Sequence, residues 1–165
     1  MPTKYRGTPA ETRALNAFIK LMRATDSLAS HLTRNLAEHD ITMSQFGVLE
    51  ALLHLGPLSQ GDICHKLLLS GSNITTVIDN LEKRALVRRD RRTDDRRVVE
   101  VSLTTKGRQL IDGLFPSHAR RITKAFGALT PAQQDQLAAL CRTLGLSIQD
   151  PVETERGRQI GRAHV

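Results

Sequence analysis

Residues 83–97 hold a dense group of basic side chains. The group contains eight bases and three acids, namely Lys83, Arg84, Arg88, Arg89, Arg91, Arg92, Arg96 and Arg97 against Asp90, Asp94 and Asp95. It supplies most of the chain's formal net charge of +7. Clustered guanidinium groups attract phosphate, and an exposed arginine can enter a narrow minor groove, where the potential of DNA is most negative. The group therefore indicates binding to a polyanion, although a charge run also occurs on ordinary solvated surfaces.

The segment just before this basic group predicts an amphipathic helix. Its apolar positions recur at helical spacing: Ile74, Val77, Ile78 and Leu81. The opposite face carries short polar side chains: Ser72, Asn73, Thr75, Thr76, Asp79, Asn80 and Lys83. Short donors and acceptors near a helix N-terminus can meet base edges in the major groove of DNA. Alone, the helix fits a solvated surface equally well, and the basic group that follows it favours DNA contact.

Two sets of candidate DNA contacts follow. The helix contributes Ser70, Ser72, Asn73, Thr75, Thr76 and Asn80. The basic segment contributes Arg88, Arg89, Arg91, Arg92, Asp95, Arg96 and Arg97. That segment predicts a hairpin, because residues 99–103 alternate with the two-residue period of a strand and residues 86–90 can pair with them. Residues 91–97 contain no apolar side chain and are expected to form its exposed tip.

Helices are expected on both sides of the hairpin. We predict them over residues 9–38, 43–55, 60–69 and 72–85, with two more after residue 104. Reciprocal capping boxes are predicted at four starts: Thr8, Thr42, Ser59 and Thr130. Pro116 is expected to kink the fifth helix. The first helix would be about 45 Å long, more than a small core needs, so part of it is expected to pack on something else.

The composition excludes several classes of function. Aromatic residues make up 3% of the 165 residues and there is no Trp, which argues against stacking platforms for single-stranded nucleic acid. Apolar runs are far shorter than the roughly 18 residues that span a bilayer, and no signal peptide opens the chain, so we expect a soluble cytoplasmic protein that does not engage the membrane. We find no catalytic motif, and neither the histidines nor the two cysteines have metal-site spacing. No enzyme activity, metal or cofactor is therefore expected.

Several segments in this order resemble the MarR-type winged helix-turn-helix regulators. The matching segments are Leu69-Ser70-Gly71-Ser72-Asn73-Ile74-Thr75, then residues 79–89, then Asp95-Arg96-Arg97, then Val101-Ser102-Leu103-Thr104-Thr105-Lys106-Gly107. The resemblance runs through about residues 10–147. Ala85 stands where the family commonly has Gly and is expected to alter the helix exit slightly. Gly71, often Pro or another residue in the family, is expected to loosen the helix entrance.

The resemblance implies a mainly α fold with a small antiparallel β wing, dimerising through its N- and C-terminal helices. The expected segments are an N-terminal dimerisation helix (8–38), a winged helix-turn-helix lobe (39–104), C-terminal dimerisation helices (105–148) and a flexible tail (149–165). The partners implied are double-stranded DNA with a pseudo-palindromic operator, a second copy of the chain, and a small aromatic or anionic effector that relieves repression. Asp95 and Arg97 match the wing pair of the family, with Arg97 in the minor groove.

Effector contacts are expected between the dimer helices and the DNA-binding lobe. The candidates are Arg23, Ser27, Ser30, His31, Arg34, Phe46, His54 and His118, which otherwise serve as surface or dimer contacts. Three other functions stay open at this point. They are a non-specific architectural DNA binder, a redox-sensing regulator that acts through Cys64, and a protein-interaction module with a basic hairpin.

Overall fold

The computed structural model describes residues 5–67, 71–91 and 99–148. Within these ranges lie six helices and three strands: α1 (Pro9–Ala37), α2 (Met43–Leu55), β1 (Leu58–Ser59), α3 (Gln60–Leu67), α4 (Gly71–Lys83), β2 (Val87–Arg91), β3 (Val99–Leu103), α5 (Thr105–Phe126) and α6 (Pro131–Ser147). The mainly helical fold with a small antiparallel sheet is confirmed. The helix α5 continues through Pro116, and the kink expected there stays a prediction. The predicted tail, 149–165, lies outside the described residues.

Three of the four predicted capping boxes are present. Thr8, Thr42 and Thr130 each accept from a backbone N–H three residues later, and the Glu or Gln at that position accepts from the backbone N–H of the threonine. Ser59 behaves differently. Its hydroxyl accepts from the backbone N–H of Asp62 over 3.1 Å, but it also donates to Asp62 Oδ2 over 2.6 Å. The reciprocal bond to the Ser59 backbone is absent from the described hydrogen bonds, since the shorter Asp side chain bonds the Ser59 hydroxyl.

The sheet has one strand more than the sequence predicted. Its order is β1-β3-β2, and both pairings are antiparallel. In β1, Leu58 pairs with Val101 and Ser59 pairs with Glu100. Two residues are too few to show an alternating pattern, so this strand depends on a pairing partner about forty positions away and could not be read locally.

The chain divides into two compact units, Met1–Ile122 and Thr123–Val165. The core of the first unit draws on α1 to α5 and the sheet, and it includes Leu36, Phe46, Leu49, Ile63, Ile78, Leu86, Val101 and Ile111. The N-terminal half of α1 contributes little to this core. Phe18 and Met22 on that half are 59% and 42% exposed, whereas Leu32 and Leu36 are buried. The predicted apolar stripe of α1 is thus covered only near its C-terminal end.

The second unit contains α6 and the turn before it. Gln134 Nε2 donates to Phe126 O over 3.1 Å and to Leu129 O over 3.2 Å, which ties α6 to that turn. No described residue of α6 is buried, and Leu140 and Leu144 are 61% and 49% exposed. No helix within the described residues is long and apolar enough to cross a membrane.

Candidate nucleic-acid interface

The helix α4 separates its apolar and polar side chains as the sequence predicted. Its buried residues are Ile74, Val77, Ile78 and Leu81, and they pack into the core of the first unit. Its predicted DNA contacts lie on the opposite side, where Ser72, Asn73, Thr75, Thr76 and Asn80 are all exposed. The buried stripe therefore holds α4 so that its short polar side chains face outwards together.

Two threonines on this exposed face are already hydrogen-bonded within the protein. Thr75 Oγ1 donates to Gly71 O over 2.9 Å, and Thr76 Oγ1 contacts Ser72 O at 3.3 Å, one helical turn back in each case. Thr75 also accepts from the side chain of Gln60, the first residue of α3, over 2.5 Å. Gln60 was not among the predicted contacts, because nothing local in the sequence places it beside Thr75.

Strand β2 presents two predicted contacts, Arg88 and Arg91, to solvent. Arg88 Nε lies 2.7 Å from Asp90 Oδ2, and their side chains are 66% and 54% exposed. Ser102, across the sheet on β3, bonds both side chains, accepting from Arg88 over 3.2 Å and donating to Asp90 over 3.3 Å. Exposed pairs of this kind are weak, so phosphate can compete for the Arg88 guanidinium.

Arg89 sits differently from its neighbours. Its guanidinium bonds Asp79, over 2.6 Å, and also Glu82, both on α4, and its side chain is only 25% exposed. Its backbone N–H also donates to Glu82 over 3.2 Å. Burial opposes its charge, but the hydrogen bonds and charges of these two carboxylates leave the pKa of Arg89 above its usual value. The sequence predicted Arg89 as a DNA contact, and in the structure its side chain joins β2 to α4.

The junction between α4 and β2 depends on a left-handed residue. Ala85 has φ +54°, and two hydrogen bonds close the helix end around it, from Ala85 N to Glu82 O and from Leu86 N to Leu81 O. This is a Schellman motif, whose left-handed position favours Gly. Ala85 adopts this glycine-like conformation itself, and the slight alteration expected at the helix exit stays a prediction.

Three side chains hold this junction to other parts of the first unit. Arg84 donates to the carbonyls of His39, over 3.1 Å, and Asp40 in the turn between α1 and α2. Lys106 Nζ donates to Arg84 O over 3.0 Å, and Thr104 Oγ1 donates to Ala85 O over 2.7 Å. Arg84, counted in the basic group, is thus used in part to anchor the helix end.

Gly107 is required where α5 begins beside this junction. A Cβ atom built on Gly107 would overlap Leu86 O and come within contact of Leu86 Cα. By contrast, a Cβ on Gly71 meets nothing within 4 Å, and Gly71 is not at positive φ. The looser helix entrance expected at Gly71 stays a prediction, because no contact made or lost there tests it.

Five predicted contacts lie outside the described residues: Ser70, Arg92, Asp95, Arg96 and Arg97. The basic residues among them belong to the expected hairpin tip. The strands on either side are described and antiparallel, with Arg91 paired opposite Val99. These five assignments stay predictions.

The effector candidates separate into an exposed set and a buried set. On α1, Arg23, Ser27, Ser30 and Arg34 are exposed and His31 is half-buried. Phe46 and His118 are 2% and 4% exposed, and their rings are in contact, with centroids 4.2 Å apart and planes inclined by 37°. The exposed His54 lies edge-on to Phe115 at 4.9 Å. The structure thus brings Phe46 and His118 together, on α2 and α5.

His118 has an unusual environment for a polar side chain. Its Nδ1 atom is buried and has no hydrogen-bond partner among the described residues. Burial lowers the pKa of His118, Glu50 opposes that shift and Arg121 adds to it. The neighbouring residue Ser117 donates a hydrogen bond from its hydroxyl to Asn35 Oδ1 over 3.3 Å, and Asn35 is itself buried. A ligand group that formed a hydrogen bond with His118 Nδ1 would remove the cost of this unsatisfied atom.

The two cysteines differ in their exposure, and neither belongs to a metal-binding group within the described residues. Cys64 is half-buried against the core, and burial raises the pKa of its thiol, which lowers the thiolate fraction that oxidation needs. Cys141 on α6 is exposed. Among the residues that the structure describes, no group of three or more His, Cys, Asp or Glu side chains could hold a metal ion.

Sequence comparison gives relatives along most of the chain. The sequence model of the MarR family matches residues 41–99. The chain is 39% identical over 137 residues to YkoM, an uncharacterized HTH-type transcriptional regulator of Bacillus subtilis (strain 168), with 83% of this chain and 89% of YkoM covered. It is 33% identical over 135 residues to MhqR, an HTH-type transcriptional regulator of the same strain, covering 82% and 93%. Both relatives are transcriptional regulators by name, the class of function that the sequence led us to expect.

Solved structures show the same fold. The MarR family regulator Sco3205 of Streptomyces coelicolor, solved in complex with DNA, has a TM-score of 0.79 at 24% identity, covering 90% of this chain and 94% of that one. BpsR of Bordetella bronchiseptica, whose DNA binding is regulated by 6-hydroxynicotinic acid, has a TM-score of 0.71 at 28% identity, covering 78% and 98%. With this fold and these relatives, the chain belongs to the MarR family of winged helix-turn-helix transcriptional regulators.

Proposed function

We propose that this DNA-binding regulator is a homodimer that recognises a pseudo-palindromic operator, represses transcription there, and is released by a small aromatic or anionic ligand. The observation that carries the proposal is the joint placement of α4 and β2. Helix α4 presents short polar side chains and strand β2 presents arginines, and the ion pair between Arg89 and Asp79 holds the two elements together. Half-sites should lie about one helical turn apart, since the two-fold axis of a dimer must match that of the DNA.

The dimer is supported by apolar side chains that the single chain leaves exposed. Phe18 and Met22 on α1 and Leu140 and Leu144 on α6 are each more than 40% exposed. Large apolar residues at such exposure on two helices favour a protein partner. Sedimentation equilibrium of the full chain should give twice the mass of 18.3 kDa. The change Phe18→Asp should shift that equilibrium towards monomer, and a monomeric wild type would contradict the dimer.

Base reading is assigned to α4 and generic DNA contact to the wing. We assign base contacts to Asn73 and Asn80, whose amides can bond base edges, and phosphate contacts to Arg88 and Arg91. Arg97 is assigned to the minor groove, as the family resemblance implies. Arg97→Ala should cost about 1–3 kcal/mol of operator binding, by analogy with good base contacts, as measured by fluorescence anisotropy. Binding equal to wild type would show that the wing assignment is wrong.

Ligand release is assigned to the buried pair of Phe46 and His118. The two ring planes are inclined by 37° with centroids 4.2 Å apart, and the unpartnered His118 Nδ1 offers a polar atom to which the hydroxyl or carboxyl group of an aromatic ligand can bond. BpsR is a precedent for control by an aromatic acid. If a ligand favours a dimer with wrongly spaced recognition helices, DNA must weaken its binding by the same factor. Calorimetric titration of aromatic acids and phenols, including 6-hydroxynicotinic acid, with and without operator tests this, and equal affinities throughout would contradict it.

Selection of duplexes from a random pool at about physiological salt tests the DNA-binding proposal. Enrichment of an inverted repeat is expected. Retention of DNA without enrichment would favour the architectural binder. Absence of binding would favour the protein-interaction module. Loss of binding with peroxide and recovery with thiol would favour the redox regulator, and Cys64→Ser would have to abolish that response.

A further inference from the structure

Gln60, the first residue of α3, joins that helix to the exposed face of α4. Its amide nitrogen donates to Thr75 Oγ1 over 2.5 Å. The Thr75 hydroxyl in turn donates to Gly71 O over 2.9 Å. The three groups form a continuous run of hydrogen bonds that begins on α3, passes through a side chain of α4 and ends on the α4 backbone.

This run of bonds determines how the Thr75 hydroxyl can meet DNA. A threonine hydroxyl has one hydrogen and two acceptor lone pairs. The hydrogen points to Gly71 O, and one lone pair receives the Gln60 amide. The remaining lone pair can only accept a hydrogen bond. Thr75 is exposed, so this lone pair is available to a groove that lies along α4.

An acceptor of this kind distinguishes two classes of base. In the major groove, adenine and cytosine present an amino donor, whereas guanine and thymine present a carbonyl acceptor at the corresponding position. A hydroxyl held as an acceptor binds the first class and repels the second. A hydroxyl free to rotate can bond either class, because its hydrogen can turn towards a carbonyl.

We propose that Gln60 is a positioning residue for DNA reading: through Thr75 it selects adenine or cytosine over guanine or thymine at one position of each half-site. The inference rests on the proposed function, since it requires α4 in the major groove of a sequence-specific site. Gln60 acts here through Thr75 and need not touch a base itself.

Parallel selections from one randomised duplex pool test the proposal. The proteins are wild type, Gln60→Leu, Thr75→Val and, as a matched control, Gln109→Leu on the exposed surface of α5. At one position of each half-site, wild type and Gln109→Leu should prefer amino-bearing bases by about three- to tenfold, the value of one hydrogen bond. Gln60→Leu and Thr75→Val should both reduce that preference to within about twofold at the same position, and leave the base preferences at other positions unchanged.

The outcomes separate this inference from the function on which it rests. An unchanged motif with Gln60→Leu, or a change at a different position from that of Thr75→Val, would overturn the inference and leave the regulator intact. A uniform loss of base preference at every position of the motif would show that Gln60 only supports the fold or a phosphate contact. No motif with wild type would overturn sequence-specific binding itself. If Gln60→Leu fails to fold, Thr75→Ser takes its place, since it keeps the hydroxyl that Gln60 bonds. Thr75→Ser should retain the preference for amino-bearing bases, and a shift of its motif towards carbonyl-bearing bases would contradict the inference.

Discussion

The two faces of strand β2 show how differently neighbouring arginines are used. On one face, Arg88 forms an exposed pair with Asp90. On the other, Arg89 is held by Asp79 and Glu82 of α4 and is only 25% exposed. One of two adjacent arginines therefore joins two elements of the fold, while the other stays exposed to solvent. The positive charge counted along a sequence overstates the charge that a phosphate can meet.

The two ends of the strand also differ in their surroundings. Near Val87 the strand adjoins the Schellman turn at Ala85, the anchored Arg84 and the close approach of Gly107 to Leu86. Towards Arg91 the side chains are exposed. The attached end should be intolerant of substitution and govern stability, while the outer end should tolerate substitution and govern DNA affinity.

The largest effect is expected where the attached end admits no side chain. Gly107→Ala should lower the free energy of unfolding by about 3 kcal/mol, since the new Cβ overlaps the Leu86 backbone and the chain must shift. Urea denaturation measures this. Gly113→Ala, on the same helix with nothing within 4 Å, should instead raise stability by up to about 1 kcal/mol. Equal effects of the two changes would contradict the packing described for Gly107.

A smaller effect is expected from the buried face of β2. Arg89→Met should lower the free energy of unfolding by about 2 kcal/mol, because it leaves Asp79 and Glu82 without the cation they share. The matched change Arg88→Met, in an exposed pair, should alter stability by less than about 0.5 kcal/mol. Denaturation curves of the two variants, measured side by side, check the contrast. If Arg88→Met were the more damaging change, the division between the two faces would be wrong.

A stabilising change is expected at the left-handed turn. Ala85→Gly should raise the free energy of unfolding by about 1 kcal/mol, since Gly tolerates positive φ without a Cβ penalty. Asp40 ends α1 with the same hydrogen-bond pattern at φ 55°, and Asp tolerates this region better than Ala. Asp40→Gly should therefore gain less. Thermal melting of both variants measures the two gains in stability. A larger gain from Asp40→Gly than from Ala85→Gly would count against the strain assigned to Ala85.

The smallest effect is expected in the salt dependence of DNA binding. Arg91→Met should reduce the slope of log affinity against log salt by about one, as expected for one lost phosphate contact. Arg89→Met, provided the variant is folded at the temperature used, should leave that slope unchanged because its charge is already paired. Anisotropy titrations between low and moderate salt measure both slopes. A reduced salt slope in Arg89→Met would show that Arg89 contacts phosphate.

Local patterns predicted most of the fold. The apolar spacing of α4, the alternation in β3 and the capping boxes at Thr8, Thr42 and Thr130 are each contained within a few neighbouring residues, and all were found. What the sequence could not show depends on distant contacts. Strand β1, the Gly107 approach to Leu86 and the capture of Arg89 by α4 arise only when separate segments meet.

The candidate site divides in the same way. The exposed face of α4 could be predicted because burial of one helix face dictates the other. The role of Gln60 could not, since fifteen positions separate it from Thr75. The pairing of Phe46 with His118 also joins two helices far apart in sequence, although both residues were predicted as effector contacts.

The central claim is that this chain distinguishes one DNA sequence from others. The most direct test is a competition measured by fluorescence anisotropy at about physiological salt. A labelled duplex carrying the selected inverted repeat would be displaced either by itself or by a scrambled duplex of the same composition. A specific regulator should bind the repeat at least about a thousandfold more tightly than the scrambled duplex. Affinities within about tenfold of each other would contradict the account.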